Sequence, residues 1–129
     1  MATMRAVQVS SPGSTDKADL AVELGAHHYI DSIAQDPAEE LARLGGAAVV
    51  LATVTNAEAM SSVIAGLASR GRLVVVGASM DPIQVPPAAL IGGSSSIVGH
   101  ASGTSQDSEE TLAFSALSGF GRRRDPSPR

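Results

Sequence analysis

Leu73-Val74-Val75-Val76-Gly77-Ala78-Ser79 decides how this sequence folds. A short apolar run stopped by glycine is the pattern of a central strand in a parallel sheet, covered on both faces. The residues before it complete a unit. Ala48-Val49-Val50-Leu51-Ala52 reads as a second buried strand. Thr55-Asn56-Ala57-Glu58 has the form of a capping box, in which the Thr hydroxyl and the Glu carboxylate satisfy backbone donors at a helix start. Met60, Val63, Ile64 and Leu67 then recur at helical spacing and place one apolar face on the sheet. Arg70 suits the negative end of such a helix, and Gly71 suits its left-handed stop. Strand, right-handed crossover helix and strand make a βαβ unit.

Upstream, Arg5-Ala6-Val7-Gln8-Val9 reads as a first strand, followed by the polar turn Ser10-Ser11-Pro12-Gly13-Ser14. A helix is expected to start near Ser14–Asp16, with Leu20, Ala21 and Leu24 inward and Gly25 as its stop. His27-His28-Tyr29-Ile30 is a short strand ended by Asp31-Ser32. Asp36-Pro37-Ala38-Glu39 opens the next helix with a capping residue and a proline at the first helical position. Leu41 and Leu44 face inward there, and Gly45-Gly46 ends it.

Downstream, residues 81–87 form a loop and Pro87–Ile91 a helical turn. Ser95–Gly99 is a last strand, and Glu109–Leu117 a last helix that ends at Gly119. Residues 1–119 are expected to form one domain. The segment 120–129, with three adjacent arginines and two prolines, is expected to be a solvated, disordered tail.

Composition narrows the class. The 129 residues carry a formal net charge of −4, which argues against a nucleic-acid or acidic-membrane surface. The absence of cysteine excludes disulfides and Cys-ligated zinc within these residues, and it fits the cytoplasm. No apolar run reaches the length of a membrane span, and the start has no secretory signal. Tryptophan is absent and tyrosine occurs once, so the core is built from Val, Ile, Leu and Ala.

In open parallel sheets, ligands sit beyond the carboxyl ends of the strands. Here those ends are rich in Gly, Ser and Thr: residues 10–14, Asp31, 53–55, 77–79 and 99–101. Small residues let a flat or phosphorylated ligand approach backbone N–H groups; the same residues also end strands and cap helices with no ligand at all. No GxGxxG fingerprint and no GxxxxGK[ST] motif is present, so the diagnostic pyrophosphate turn is missing and P-loop phosphoryl transfer is unsupported. His27 and His28 are adjacent on a strand and point to opposite faces, a poor metal site. His100, at a strand end, is the histidine placed nearest a cleft. No nucleophile elbow accompanies a Ser-His-Asp set. The residues alone describe a sheet suited to a nucleotide, without visible catalytic machinery.

A resemblance extends this reading. Lys17-Ala18-Asp19-Leu20-Ala21-Val22-Glu23-Leu24-Gly25-Ala26-His27-His28-Tyr29-Ile30-Asp31 resembles the segment after the second Rossmann strand of medium-chain, zinc-type alcohol dehydrogenases. Gly71-Arg72-Leu73-Val74-Val75-Val76-Gly77-Ala78 is similar to that family's strand before the nicotinamide. Ser95-Ser96-Ile97-Val98-Gly99, Gly103-Thr104 and Glu109-Glu110-Thr111-Leu112-Ala113-Phe114 are similar to its next strand and helix. The blocks agree in order and spacing over roughly Thr15–Gly119.

The resemblance implies a dinucleotide cofactor, NAD or NADP, and a site carried over residue by residue. Lys17 corresponds to the lysine that reaches the adenosine ribose. Thr53, Val54 and Thr55 correspond to the loop lining the cofactor. Val76, Gly77 and Ala78 correspond to the backbone run at the nicotinamide carboxamide, and Ile97, Val98 and Gly99 to its second contact. The strand Ser95–Gly99 corresponds to an edge that pairs across a dimer, so a second copy or a full-length dehydrogenase is an implied partner. The family reaction is hydride transfer between an alcohol and the nicotinamide, with zinc polarising the alcohol oxygen.

The departures shape what is expected. The family's zinc-binding Cys, its Gly-His-Glu segment and its further zinc ligand have no counterpart in these residues, nor does the first Rossmann strand with its glycine turn. The opening Met4–Gly13 resembles the family's extreme N-terminus, joined almost directly to the helix after the second Rossmann strand. The sequence is thus expected to be an internally deleted, truncated relative, inactive alone as an enzyme, with weak dinucleotide binding. A non-catalytic dinucleotide-binding or dimerisation module, and a non-functional remnant, are the alternatives. The expected fold is α/β, a three-layer, open parallel, incomplete Rossmann-like sheet. Without the lost strand, Arg5–Ser10 would pair with Ala47–Ala52 and give strand order 2-1-3-4-5. Helix coverage would be uneven, leaving one sheet face exposed.

Overall fold

Local signals set most element boundaries in the computed structural model, which describes residues 7–10 and 16–119. Strand β1 is Val7–Ser10, and helix α1 is Asp16–Glu23. Gly25 ends α1 at φ 105°, a left-handed conformation that a Cβ disfavours, while Ala26 N–H reaches back to the Ala21 carbonyl at 2.8 Å. Strand β2 is His28–Asp31. Helix α2, Pro37–Arg43, is capped by Asp36, whose Oδ1 accepts from Ala38 N–H at 2.8 Å and Glu39 N–H at 3.1 Å.

Strand β3, Ala47–Ala52, leads to helix α3, Ala57–Ser62. A 3-10 turn at Ile64–Gly66 follows, and then strand β4, Leu67–Val75. Helix α4 is Pro87–Gly93, strand β5 is Ser96–Gly99, and helix α5 is Ser105–Ser118. A full capping box starts α5. Thr104 Oγ1 accepts from Asp107 N–H, and Asp107 Oδ2 accepts from Thr104 N–H at 2.6 Å. The Thr104 N–H, and then its hydroxyl, hold the Asp107 carboxyl below the usual carboxylate range.

All strand pairs are parallel. β1 pairs with β2, and β3, β4 and β5 form a three-stranded ladder in that order. The fold is α/β, an open parallel sheet with helices, Rossmann-like. The expected neighbours 2-1 and 3-4-5 are present. The ladder expected between β1 and β3 does not form among the described residues, so the two groups of strands are joined through side chains instead of backbone hydrogen bonds. Ile30 of β2 and Leu41 of α2 share one core with Ala52, Met60, Val63, Ile64 and Leu73. Leu73 is fully enclosed, and burying a side chain of that size stabilises the fold by about 1.5–3 kcal/mol.

Several expectations need correction. The helix expected to run through Leu67 to Arg70 stops at Ser62, because Gly66 packs against Leu41 so closely that the chain turns there. Leu67 then enters β4 opposite Ala47, and Arg70 adopts φ 60° in an irregular stretch between the Ala47/Leu67 and Val49/Arg72 pairs. The cap of α3 is Asn56, accepting from Ala59 N–H at 2.9 Å, instead of the Thr55–Glu58 box. Strand β3 is not buried on both faces: Val49 and Leu51 are largely exposed, as is Leu24 just past the end of α1. Val76, just past the end of β4, is also exposed. Helix α5 starts four residues earlier than expected and buries none of its residues. The exposed sheet face expected from uneven helix coverage is present at Val49 and Leu51. The first-strand residues Arg5 and Ala6, the turn 11–15 and the tail 120–129 lie outside the described residues.

Candidate functional site at the carboxyl edge of the sheet

Parallel strands bring their carboxyl ends to one edge, and the backbone there is tied together closely. The Ala52 carbonyl accepts both Val76 N–H and Gly77 N–H, each at 3.0 Å. This shared acceptor draws the turn after β4 onto the loop after β3. Gly77 fits because it has no Cβ: the position of that atom would lie 2.7 Å from the Val54 carbonyl carbon and 2.8 Å from that of Thr53. On the other side, His100 N–H donates to the Val75 carbonyl at 2.9 Å, and Gly99 stands beside Val75.

The candidate residues therefore divide. Thr53 and Val54 meet Gly77 at this edge, with Thr55 next to them in the first turn and Val76 and Ala78 in the second, and Ile97, Val98 and Gly99 lie beside them on β5. Thr53, Thr55, Ala78 and Gly99 are exposed, while Val54, Gly77 and Ile97 are half-buried. Ile97 packs against the core, so it supports the edge from below. Lys17 is not brought to this group. It lies exposed on α1, which packs against β2 in the other pair of strands. His100 does lie at the edge, with Nδ1 2.6 Å from the Ala101 carbonyl oxygen.

A polar groove of about 560 Å³ adjoins the edge. Thr55, Asn56, Glu58 and Ser61 line one side, and Asp81 and Gln84 the other. Ser61 pins the two sides together: its hydroxyl donates to the Ala57 carbonyl at 2.7 Å and accepts from Gln84 N–H at 3.0 Å. Apart from Thr55, these residues were missed by sequence reasoning. Residues 81–84 reach α3 through a contact 23 positions apart, which leaves no local signal.

The donor set does not fit a zinc ion. Among the described residues, no three His, Cys, Asp or Glu side chains come together to hold a metal. What the edge presents is backbone and small side chains, chemistry suited to holding an amide or a flat ring.

A parallel, Rossmann-like sheet of this kind is the architecture of dinucleotide-binding domains. The sequence pattern of the zinc-binding dehydrogenases matches residues 4–117, and the chain belongs to that family, whose alcohol dehydrogenases are NAD(P)-dependent. It is 37% identical over 104 residues to the alcohol dehydrogenase patD of Penicillium expansum, an overlap of 81% of this chain and 30% of that protein. It is 35% identical over 99 residues to the alcohol dehydrogenase notN of an Aspergillus species, covering 77% of this chain and 29% of the relative. Among solved structures, an alcohol dehydrogenase zinc-binding domain protein from Burkholderia ambifaria superposes with a TM-score of 0.76 at 28% identity, over 86% of this chain and 32% of that one. The chain thus spans about 30% of the length of the relatives it matches. No helix among the described residues is long and apolar enough to cross a membrane.

Proposed function

We propose that this polypeptide supplies the nicotinamide-side half of a dinucleotide site of an alcohol dehydrogenase, and that alone it turns over no alcohol. The observation that carries this reading is the doubly used Ala52 carbonyl, which holds Val76 and Gly77 against the turn that follows β3. The backbone of that pair of turns, with Val98 and Gly99 beside it, would receive the carboxamide of NAD or NADP. Lys17 would meet the adenosine ribose from the other pair of strands. Hydride transfer between alcohol and nicotinamide is the reaction of the family to which this site belongs, and the alcohol-holding groups lie outside these residues.

Calorimetric titration with NADH and NADPH tests the binding half of the proposal. Dissociation constants weaker than micromolar are expected, because the glycine-rich pyrophosphate turn is not in this sequence. Alcohol-dependent reduction of NAD⁺ or NADP⁺ tests the other half, and zinc-dependent turnover by the purified polypeptide would overturn it.

A second reading rests on β5, which is laddered on one side only among the described residues. Its outer edge, Ser96–Gly99, would add to the matching edge of another copy or of a full-length dehydrogenase. Hydrogen exchange at Ile97 and Gly99 amides in a mixture with such a dehydrogenase would slow; unchanged exchange would discard this reading.

A further inference from the structure

Cross-strand register sorts the three-stranded sheet into two faces. Val50, Leu73 and Ile97 stand in one row of the face that holds the core. The alternate residues form two rows on the opposite face: Val49, Arg72 and Ser96, then Leu51, Val74 and Val98 one step nearer the carboxyl edge. This second face is open, with Val49 63% and Leu51 61% exposed. Helix α5 presents the converse. It is capped at Thr104 and stopped at Gly119, yet Leu112 and Leu117 are 71% and 90% exposed. A helix of 14 residues with no packed face is marginal in water, so α5 calls for a surface to rest on.

The two surfaces agree in the order of charge as well as in apolarity. On α5, Glu109 precedes Leu112 and Ala113 by three and four residues, so it shares their side, one turn toward the helix start. On the sheet, Arg72 lies two residues before Val74, toward the amino end of the strand. One helical turn rises about 5.4 Å and two strand residues about 6.6 Å. A helix laid parallel to the strands therefore sets Glu109 level with Arg72 while Leu112 and Ala116 cover the Leu51–Val74–Val98 row. Neither Arg72 nor Glu109 has an ion-pair partner among the described residues.

The helix of the same chain cannot take that direction. His100 is held at the carboxyl end by its bond to Val75, and five Cα steps to Ser105 span at most about 18 Å. Starting α5 low enough to place Glu109 beside Arg72 needs a descent of about 19 Å along the sheet, together with a layer offset of about 10 Å. A fold-back with the opposite direction is within reach, but it reverses the order of carboxylate and apolar residues: with Leu112 over the Leu51–Val74–Val98 row, Glu109 lies about 11 Å from the level of Arg72.

We propose that two copies of this chain exchange α5, each helix covering the open sheet face of the other with Glu109 against Arg72. The contact is isologous, so both faces and both helices are satisfied at once. The test uses the full polypeptide in three forms: unchanged, Arg72→Glu and Glu109→Arg. Sedimentation equilibrium should find a dimer for the first and at least tenfold weaker dimers for each variant. Mixing the two variants in equal amounts should restore the original affinity, because each sheet then meets a helix of opposite charge, and that recovery also shows that both variants are folded. A monomeric unchanged chain would overturn the proposal, as helix fold-back within one chain would produce. So would a dimer indifferent to both charge reversals, as pairing through the β5 edge would produce, or a mixture that fails to recover.

Discussion

Gly77 and the carbonyl group of Val54 pack so tightly that a Cβ on Gly77 would lie 2.7 Å from the Val54 carbonyl carbon. The neighbour is backbone, which has no rotamer with which to give way. Gly77→Ala is therefore expected to push the loop 53–55 off the sheet edge, at a cost of about 1–3 kcal/mol. Urea unfolding measures the loss, and weaker NADH binding in the same variant would show that the edge and the ligand share this geometry.

Gly99 offers the opposite test. A Cβ there meets nothing within 4 Å in the protein. Gly99→Ala should leave the unfolding midpoint within about 0.5 kcal/mol of the parent. If the nicotinamide lies against β5, the added methyl weakens NADH binding all the same. Calorimetry on the variant reads the effect with no stability change to confuse it, and unaltered affinity would remove Gly99 from the site.

Asp107 links α5 to pH. Its carboxylate is stabilised by the Thr104 N–H and hydroxyl, so its affinity for protons is lower in the capped helix than in the unfolded chain. A lowered value means that the contribution is complete above the ordinary Asp range near pH 3.9. It is lost as pH falls through the lower folded value. Helicity followed by circular dichroism should decline as pH falls below about 4, and Asp107→Asn should flatten the part of that decline that comes from α5.

Leu73 is the core position with the least exposure, 0%. Leu73→Ala should cost about 2–5 kcal/mol, enough to unfold a marginal domain. Met80→Ala is the matched control, since Met80 is fully exposed and should change stability by less than about 0.5 kcal/mol. Thermal melts of the two variants should differ widely; equal melts would mean that Leu73 does not anchor the core.

Much of this fold is legible from residues whose signals are local. Asp36 with Pro37 marks the start of α2, and Gly25 and Gly119 mark helix ends by their positive φ. What was illegible depends on partners distant in sequence. Leu67 continues the helical spacing of Met60, Val63 and Ile64, yet it belongs to β4, because its pairing with Ala47 and the approach of Gly66 to Leu41 outweigh periodicity. Val49 and Leu51 read as buried because apolar runs usually are. Whether a covering layer exists above them is a property of the rest of the molecule. At the candidate site, Val76–Ala78 and Ile97–Gly99 were found through resemblance, whereas Ser61 and Gln84 meet across 23 residues and carry no motif.

The irregular stretch of β4 has a consequence for how this sequence tolerates change in length. Between the Ala47/Leu67 pair and the Val49/Arg72 pair, β4 carries three residues more than β3, with Arg70 in the left-handed region among them. Among these residues Ser69 and Arg70 are exposed, while Ala68 packs against Gly46 and Gly71. Removing Ala68–Arg70 as a block would keep Arg72 opposite Val49 and Leu73 opposite Val50. Removing one residue from the segment after it would turn Leu73 out of the core and Arg72 into it. The bulge thus takes up extra length between two fixed pairs, so the register at the carboxyl edge of the sheet is set by the residues that follow it.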